Sequence, residues 1–292
     1  MAVQRRGNVK SPESSAIEKK IKRANAQRQA FTWRSYIPLL LLLTVLTAAL
    51  TWLYLSLSDE FTETLVSRGE VLTEPRIFLV QCSEDYENHK RFPGCTPTKC
   101  GRAVTDSVVT KEEAQILKRL AERGLALGGS DGGASILDLH SGALSMGKKF
   151  VNIYRDVRGR IQKVIAETFG LDSSQMYLTK PTFFSRINST GAKTTHDEYW
   201  HPHIDKVTYG SFDYTSLLYL TDYGVDFGGG RFVFMDSNSN RTVEPRAGRV
   251  SFFSSGSENL HRVEKVVWGT RYAITVSFTC DPDHGIADPT LP

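Results

Sequence analysis

His203, Asp205, His261 and Arg271 are the residues of this chain whose types and spacing could do chemistry together. In an extended strand, residues i and i+2 point to one side, so His203 and Asp205, separated by Ile204, can grip one ion. His261, on a facing strand, would complete two imidazoles and one carboxylate. That donor set leaves one side of the ion open and suits non-haem Fe(II), which must also bind a cosubstrate and O2. Ten residues beyond His261, Arg271 offers a planar, permanently charged fork for a distant carboxylate. The expectation is an oxygenase that uses Fe(II), O2 and 2-oxoglutarate as cosubstrate.

Other groups nearby could compete. His201 stands two residues before His203, and His196-Asp197 lies just upstream. Ligation by His201 as well would close the open side, so His201 is expected in solvent or behind the ligands. Asp281-Pro282-Asp283 superficially matches the Asp-x-Asp of lumenal glycosyltransferases, but it sits in a Pro-rich stretch and reads as loop. Gly228-Gly229-Gly230 lacks the strand–loop–helix setting of a phosphate cradle and reads as a bulge or turn.

The elements that must position these residues fall into two textures. Thr110 and Glu113 form a capping box, followed by Ala114, Leu117 and Ala121 at helical spacing up to Gly124. A second helix carries Phe150, Tyr154, Val157, Ile161 and Val164 on one face and ends at Gly170. Beyond Leu171, short runs of strand formers alternate with turns: 177–184, 216–220, 231–234, 249–253, 262–267 and 272–278. Many short strands at such spacing suggest a sandwich or barrel. Tyr272, Ile274, Val276 and Phe278 alternate with Ala273, Thr275 and Ser277, as in a half-buried strand. A turn at Trp268-Gly269 would hairpin the His261 strand back to Arg271 and set both on adjacent antiparallel strands. Upstream, 76–80 reads as a strand and 92–102 as a loop. Phe183, Phe184, Phe232, Phe234, Phe252 and Phe253 are candidates for an apolar wall.

Charge is unevenly spread over the 292 residues, whose net charge is +4. The first 35 hold nine Lys/Arg against two Asp/Glu (+7), leaving twenty-seven against thirty (−3). The basic charge belongs to a tail rather than to a nucleic-acid-binding face. Next comes an uncharged apolar run, 36–57, of the length that spans a bilayer as a helix. A cleaved signal peptide would have a shorter apolar region and a shorter basic leader. The positive-inside rule then places the N-terminus in the cytosol and 58–292 in the lumen of the endoplasmic reticulum or another secretory-pathway membrane.

All four cysteines (Cys82, Cys95, Cys100, Cys280) lie beyond that run, which permits two disulfides in an oxidising compartment. Three pairings are open, with Cys95–Cys100 slightly favoured by its turn-rich loop. The sequons at Asn188 and Asn240 could carry N-glycans there. The expected organisation is a cytosolic tail (1–35), a signal-anchor helix (36–57), a stalk with a Cys-containing segment (58–109) and an oxygenase domain (110–292). Within that domain, helices occupy 110–170 and the β core 176–280.

His203-Ile204-Asp205, Gly228-Gly229-Gly230-Arg231-Phe232-Val233-Phe234, Ala247-Gly248-Arg249-Val250-Ser251-Phe252-Phe253, His261-Arg262-Val263 and Gly269-Thr270-Arg271-Tyr272 resemble the catalytic domains of prolyl 4-hydroxylases and procollagen lysyl hydroxylases. The resemblance covers about 110–280. It implies a mainly β, double-stranded β-helix (jelly-roll) fold behind supporting N-terminal helices. It implies His203, Asp205 and His261 as iron ligands, Arg271 as the 2-oxoglutarate anchor, and ascorbate dependence. Many prolyl hydroxylases carry Lys at the Arg271 position, whereas Arg271 matches the lysyl hydroxylases. A tyrosine often helps hold the cosubstrate, and Tyr219 is the candidate. The implied substrate is a protein or peptide, hydroxylated at Pro or Lys with release of succinate and CO2. A catalytically silent metal-binding β-helix and a type II glycosyltransferase are the alternatives.

Overall fold

In the computed structural model, residues 12–58, 62–87, 91–128, 132–194 and 198–289 are described. His196-Asp197 and the first eleven residues of the basic tail lie outside them. Two units divide the chain, 1–60 and 61–292. The first is helix α1 (Pro12–Ser58) with Pro38 inside it. Leu39, Leu40, Leu41, Leu42 and Leu43 are exposed along it. Among the described residues, no helix is long and apolar enough to cross a membrane.

The second unit starts with strands where a stalk was expected. β1 (Thr62–Val66) buries Leu65 and Val66. β2 (Arg76–Val80) and β3 (Cys100–Thr105) follow, with every residue of β3 buried. The expected loop at 92–102 therefore ends in a strand. Helices α2 (Lys111–Gly128) and α3 (Leu139–Phe169) flank β4 (Ala134–Asp138). The capping box forms reciprocally: the Thr110 N–H donates to Glu113 Oε2 (2.9 Å) and the Glu113 N–H to Thr110 Oγ1 (3.1 Å). α2 runs through Gly124 to Gly128. Gly170, at φ +73°, ends α3, and the Leu171 N–H reaches back to the Ala166 carbonyl.

The remaining elements are β5 (Tyr177–Asn188), the short α4 (Asp205–Tyr209), β6 (Tyr214–Tyr219), β7 (Phe227–Gly229), β8 (Phe232–Met235), β9 (Asn240–Val243), β10 (Val250–Ser254), β11 (His261–Val263) and β12 (Val266–Thr279). The major sheet has the order β2-β3-β10-β6-β12-β5-β4, with β7 also paired to β12. The minor sheet has the order β1-β9-β8-β11, antiparallel except for β1 beside β9. This is a jelly-roll-like sandwich with helices on the outer face of the major sheet.

Period-two alternation explains the three layers. Leu218, Phe252, Ile274, Val276 and Phe278 face the helices and pack with Phe150, Tyr154 and Ile161. Leu217, Tyr219, Phe253 and Ala273 face the other way and meet Val66, Phe232, Phe234 and Val243 of the minor sheet. β12 is thus buried on both faces rather than on one. Trp268-Gly269 makes no hairpin, because β12 continues through it with Gly269 at φ +74°. The break lies at 264–265 instead. His261 and Arg271 consequently stand on opposite sheets, not on adjacent strands.

The disulfides are Cys82–Cys100 and Cys95–Cys280, which corrects the favoured Cys95–Cys100 pair. Cys100 is the first residue of β3 and pairs with Val80, the last of β2, and Cys82 follows two residues beyond. Cys95 is thereby free to reach Cys280 at the end of β12. Of the two sequons, Asn188 is half-buried at the end of β5, while Asn240 is only 5% exposed within β9.

Candidate metal and carboxylate site

Asp205 is the first residue of α4, so the expected strand pairing of His203 with Asp205 is replaced by a strand-like bridge followed by a helical turn. His203 and His261 exchange both backbone hydrogen bonds, at 2.9 and 3.1 Å. The bridge sets their rings 4.3 Å apart. The helical turn then brings Asp205 beneath them. Asp205 Oδ1 lies 3.5 Å from His203 Nε2 and 3.7 Å from His261 Nε2. One ligand atom from each residue falls within a 4.8 Å cluster, the separation of donors that can share one ion.

Each donor is oriented from behind. His203 Nδ1 lies 3.1 Å from the His201 carbonyl, and His261 Nδ1 lies 2.8 Å from the Asn259 carbonyl. An imidazole that donates from Nδ1 keeps its lone pair on Nε2, which is the atom turned to Asp205. Thr215 donates to Asp205 Oδ2 at 2.7 Å and is itself 2.9 Å from Ser255 Oγ. The adjoining Lys206 anchors α4 through a buried ion pair with Asp213, 2.9 Å long. Phe232 stacks on the His261 ring and Phe253 meets it at an edge. Burial pushes the His261 pKa down to about 4 against the raising effect of Asp205, so the ring is neutral at physiological pH and ready to donate its lone pair.

Arg271 is 1% exposed. Its Nε donates to the Gly230 carbonyl at 3.0 Å, but its buried Nη2 has no partner. Its guanidinium carbon lies 5.4 Å from the centre of the Tyr219 ring. Burial pushes its pKa down, and the neighbours acting to raise it are two tyrosines, Tyr219 and Tyr199. A buried guanidinium nitrogen left unpaired is costly, and an anion supplied from outside would satisfy it. Tyr219, the candidate cosubstrate tyrosine, sits beside Arg271 with its hydroxyl 2.9 Å from Ser251 Oγ.

One cavity of about 210 Å³ contains His203, Asp205, His261 and Arg271 in its lining. Two imidazoles and a carboxylate at one place, and an unpaired guanidinium at another, fit an ion and a diacid held together. Of the six candidate wall phenylalanines, Phe183 and Phe232 line this cavity. Phe184 and Phe252 face the helices, and Phe234 and Phe253 fill the core between the sheets. Phe184 and Phe252 are one residue out of phase with the cavity face, as strand alternation requires.

His201 stays out of the cluster. It is 62% exposed and its Nε2 lies 2.6 Å from Glu198, although its carbonyl orients His203. Asp281 accepts the Asp283 N–H at 3.0 Å and caps a short turn with it. Thr215, Asn259, Tyr199 and the Gly230 carbonyl are site groups that the sequence reading missed. Thr215 alone carried a signal, since it shares alternation with Leu217 and Tyr219 on β6.

A model of the 2OG-Fe(II) oxygenase superfamily matches residues 188–279, which include all four site residues. The chain is 60% identical over 316 residues to the 2-oxoglutarate and iron-dependent oxygenase domain-containing protein 3 of Mus musculus, covering 100% of both. It is 65% identical over 258 residues to the protein of that name from Xenopus tropicalis, covering 82% of this chain and 81% of that one. Prolyl 3-hydroxylase 1 of Rattus norvegicus is 28% identical over 222 residues, or 64% of this chain and 30% of its own.

Proposed function

Because the chain belongs to the 2OG-Fe(II) oxygenase superfamily, whose members use Fe(II), 2-oxoglutarate and O2, we propose that it is a membrane-anchored hydroxylase acting on prolyl residues of a lumenal protein or peptide. The carrying observation is that the His203–Asp205–His261 cluster and the unpaired guanidinium of Arg271 line one cavity. His203, Asp205 and His261 hold the iron, and Arg271 receives the distal carboxylate of 2-oxoglutarate. When bound, the iron would activate O2, one oxygen atom passing into the C–OH of the substrate and the other into succinate as 2-oxoglutarate loses CO2.

The chain's own residues prepare that chemistry. The His201 and Asn259 carbonyls hold the two imidazoles with Nε2 forward. Thr215 occupies Asp205 Oδ2 and leaves Oδ1 facing the histidines. Phe183, Ile187, Leu217, Phe232 and Val263 give the cavity an apolar wall. Prolyl is favoured over lysyl because, among the described residues, Asp205 is the one carboxylate in the cavity lining, so a substrate ammonium would find no partner there. The relative named prolyl 3-hydroxylase 1 agrees with that choice. Ascorbate is the supporting reductant of this reading.

The exposed leucines of α1 and the basic residues before them support a type II anchor with 58–292 in the lumen of the endoplasmic reticulum or another secretory-pathway membrane. Two disulfides support an oxidising compartment. Asn188 is the better glycan acceptor, since Asn240 is buried.

The test supplies the full-length protein with Fe(II), O2, ascorbate, labelled 2-oxoglutarate and proline-containing peptides. Succinate and a one-oxygen mass gain on proline are expected from the wild type and from neither His203→Ala nor Asp205→Ala. Succinate made by both variants rejects the iron assignment. Iron binding without succinate under any condition rejects the enzyme in favour of a silent metal-binding module.

A further inference from the structure

Resting on the iron-site reading above, we propose that the Asn259 carboxamide is a positioning residue for His261, clamping the turn whose carbonyl orients that ring. Asn259 is fully buried. Its Nδ2 donates to the Ser254 carbonyl at 2.8 Å, and lies 3.2 Å from Ser254 Oγ and 3.3 Å from the Gly101 carbonyl. Ser254 ends β10 and Gly101 belongs to β3, so one amide ties the turn to two neighbouring strands of the major sheet. Two residues on, His261 Nδ1 meets the Asn259 carbonyl at 2.8 Å. The side chain thus fixes the backbone, and the backbone fixes the ring.

The other half of the amide shows what the residue is for. Asn259 Oδ1 is buried with no partner. An unpaired buried acceptor is costly, and a leucine of similar shape would avoid it. The gain that offsets this is Nδ2, which has three acceptors within reach. The turn is tied down along its length: Gly256 N–H donates to the Tyr86 hydroxyl (2.7 Å), and Glu258 accepts from that hydroxyl (3.0 Å) and from Ser254 Oγ (2.6 Å). His203 has no such backing, because its carbonyl partner belongs to the exposed His201. One imidazole is therefore set by the core and the other by a surface loop.

The test uses the full-length protein with Co(II), read by titration and by the ligand-field bands of the bound ion. Asn259→Asp keeps the shape but removes the donor, and Asn259→Ala removes both. Each is expected to weaken Co(II) binding about 10- to 100-fold and to change the bands. 2-Oxoglutarate affinity at saturating Co(II) should stay at the wild-type value, because Arg271 lies on the opposite sheet from His261. A folded variant that melts earlier yet binds Co(II) with wild-type affinity and bands overturns the proposal, since Asn259 would then be merely structural. Should neither variant fold, Ser254→Ala removes one of the three acceptors, and a smaller loss in the same direction is expected. Unchanged binding there overturns the proposal too. If His261→Ala binds Co(II) as the wild type does, the iron-site reading itself has failed and this inference with it.

Discussion

At the scale of single residues, the two halves of the site are held by different physics. The three donors of the cluster are oriented by hydrogen bonds from the backbone and from Thr215. Arg271 is held by one bond and a ring, with Nη2 left unpaired. Its substitution should therefore separate cosubstrate binding from metal binding. Arg271→Lys replaces the planar fork by a point charge and leaves the Gly230 carbonyl without its donor. The KM for 2-oxoglutarate should rise about tenfold, equivalent to ~1.4 kcal/mol, while Co(II) affinity stays unchanged. Steady-state kinetics beside a Co(II) titration decide it. An unchanged KM would remove Arg271 from the carboxylate role. That His203, Asp205, His261 and Arg271 share one cavity was legible in the sequence, because each carries a metal donor or a fixed charge in its own side chain. Thr215 and Asn259 were not, since an ordinary threonine or asparagine acquires its role only from what the sandwich places against it.

At the scale of elements, legibility followed the strength of the local pattern. Thr110 and Glu113 announced α2, and five apolar residues at helical spacing announced α3, because capping and amphipathicity act within a few residues. β1, β3, β4, β7 and β9 went unread. β1 and β9 are short and half polar, and β3 hides Arg102 in the core, where it pairs with Asp236 at 2.8 Å. The Trp268-Gly269 pair was misread for a physical reason: a left-handed glycine usually ends a strand, but here it lets β12 pass close to β7. A Cβ on Gly269 would stand 2.1 Å from the Asp226 carbonyl oxygen, besides the strain of φ +74°. Gly269→Ala should lower stability by at least about 2 kcal/mol, or roughly 4–8 °C in Tm for a unit of this size. It should also weaken 2-oxoglutarate binding, because Arg271 lies two residues along the same strand. Gly159 in α3 is the control. A Cβ there meets nothing within 4 Å, so Gly159→Ala should raise stability by about 0.5–1 kcal/mol. Equal melting temperatures for the two variants would refute this account of Gly269.

At the scale of the whole molecule, the 61–292 unit has two sheets and a helical layer whose elements come from distant parts of the chain, and its disulfides differ sharply in how much chain they enclose. Cys82–Cys100 joins neighbouring strands 18 residues apart, whereas Cys95–Cys280 spans 185. The longer bridge pins the 91–99 loop to the end of β12. The Tyr214 hydroxyl donates to the Cys95 carbonyl at 3.1 Å, and the Cys280 N–H donates to Asp213 at 2.7 Å. Asp213 in turn accepts from Lys206, the neighbour of the cluster residue Asp205. Constraint of the unfolded chain grows slowly with loop length, so the short bridge should contribute about 3 kcal/mol and the long one about 5 kcal/mol. Cys280→Ala should therefore melt below Cys82→Ala by roughly 4–8 °C. Both should fall below the wild type in the absence of reductant, and all three should converge in its presence. Because Asp213 lies between the long bridge and α4, Cys280→Ala should also weaken Co(II) binding. Melting curves with and without a dithiol give the order directly. A Cys280→Ala protein that melts with or above Cys82→Ala would mean that local packing, rather than the enclosed length of chain, sets the worth of each bridge.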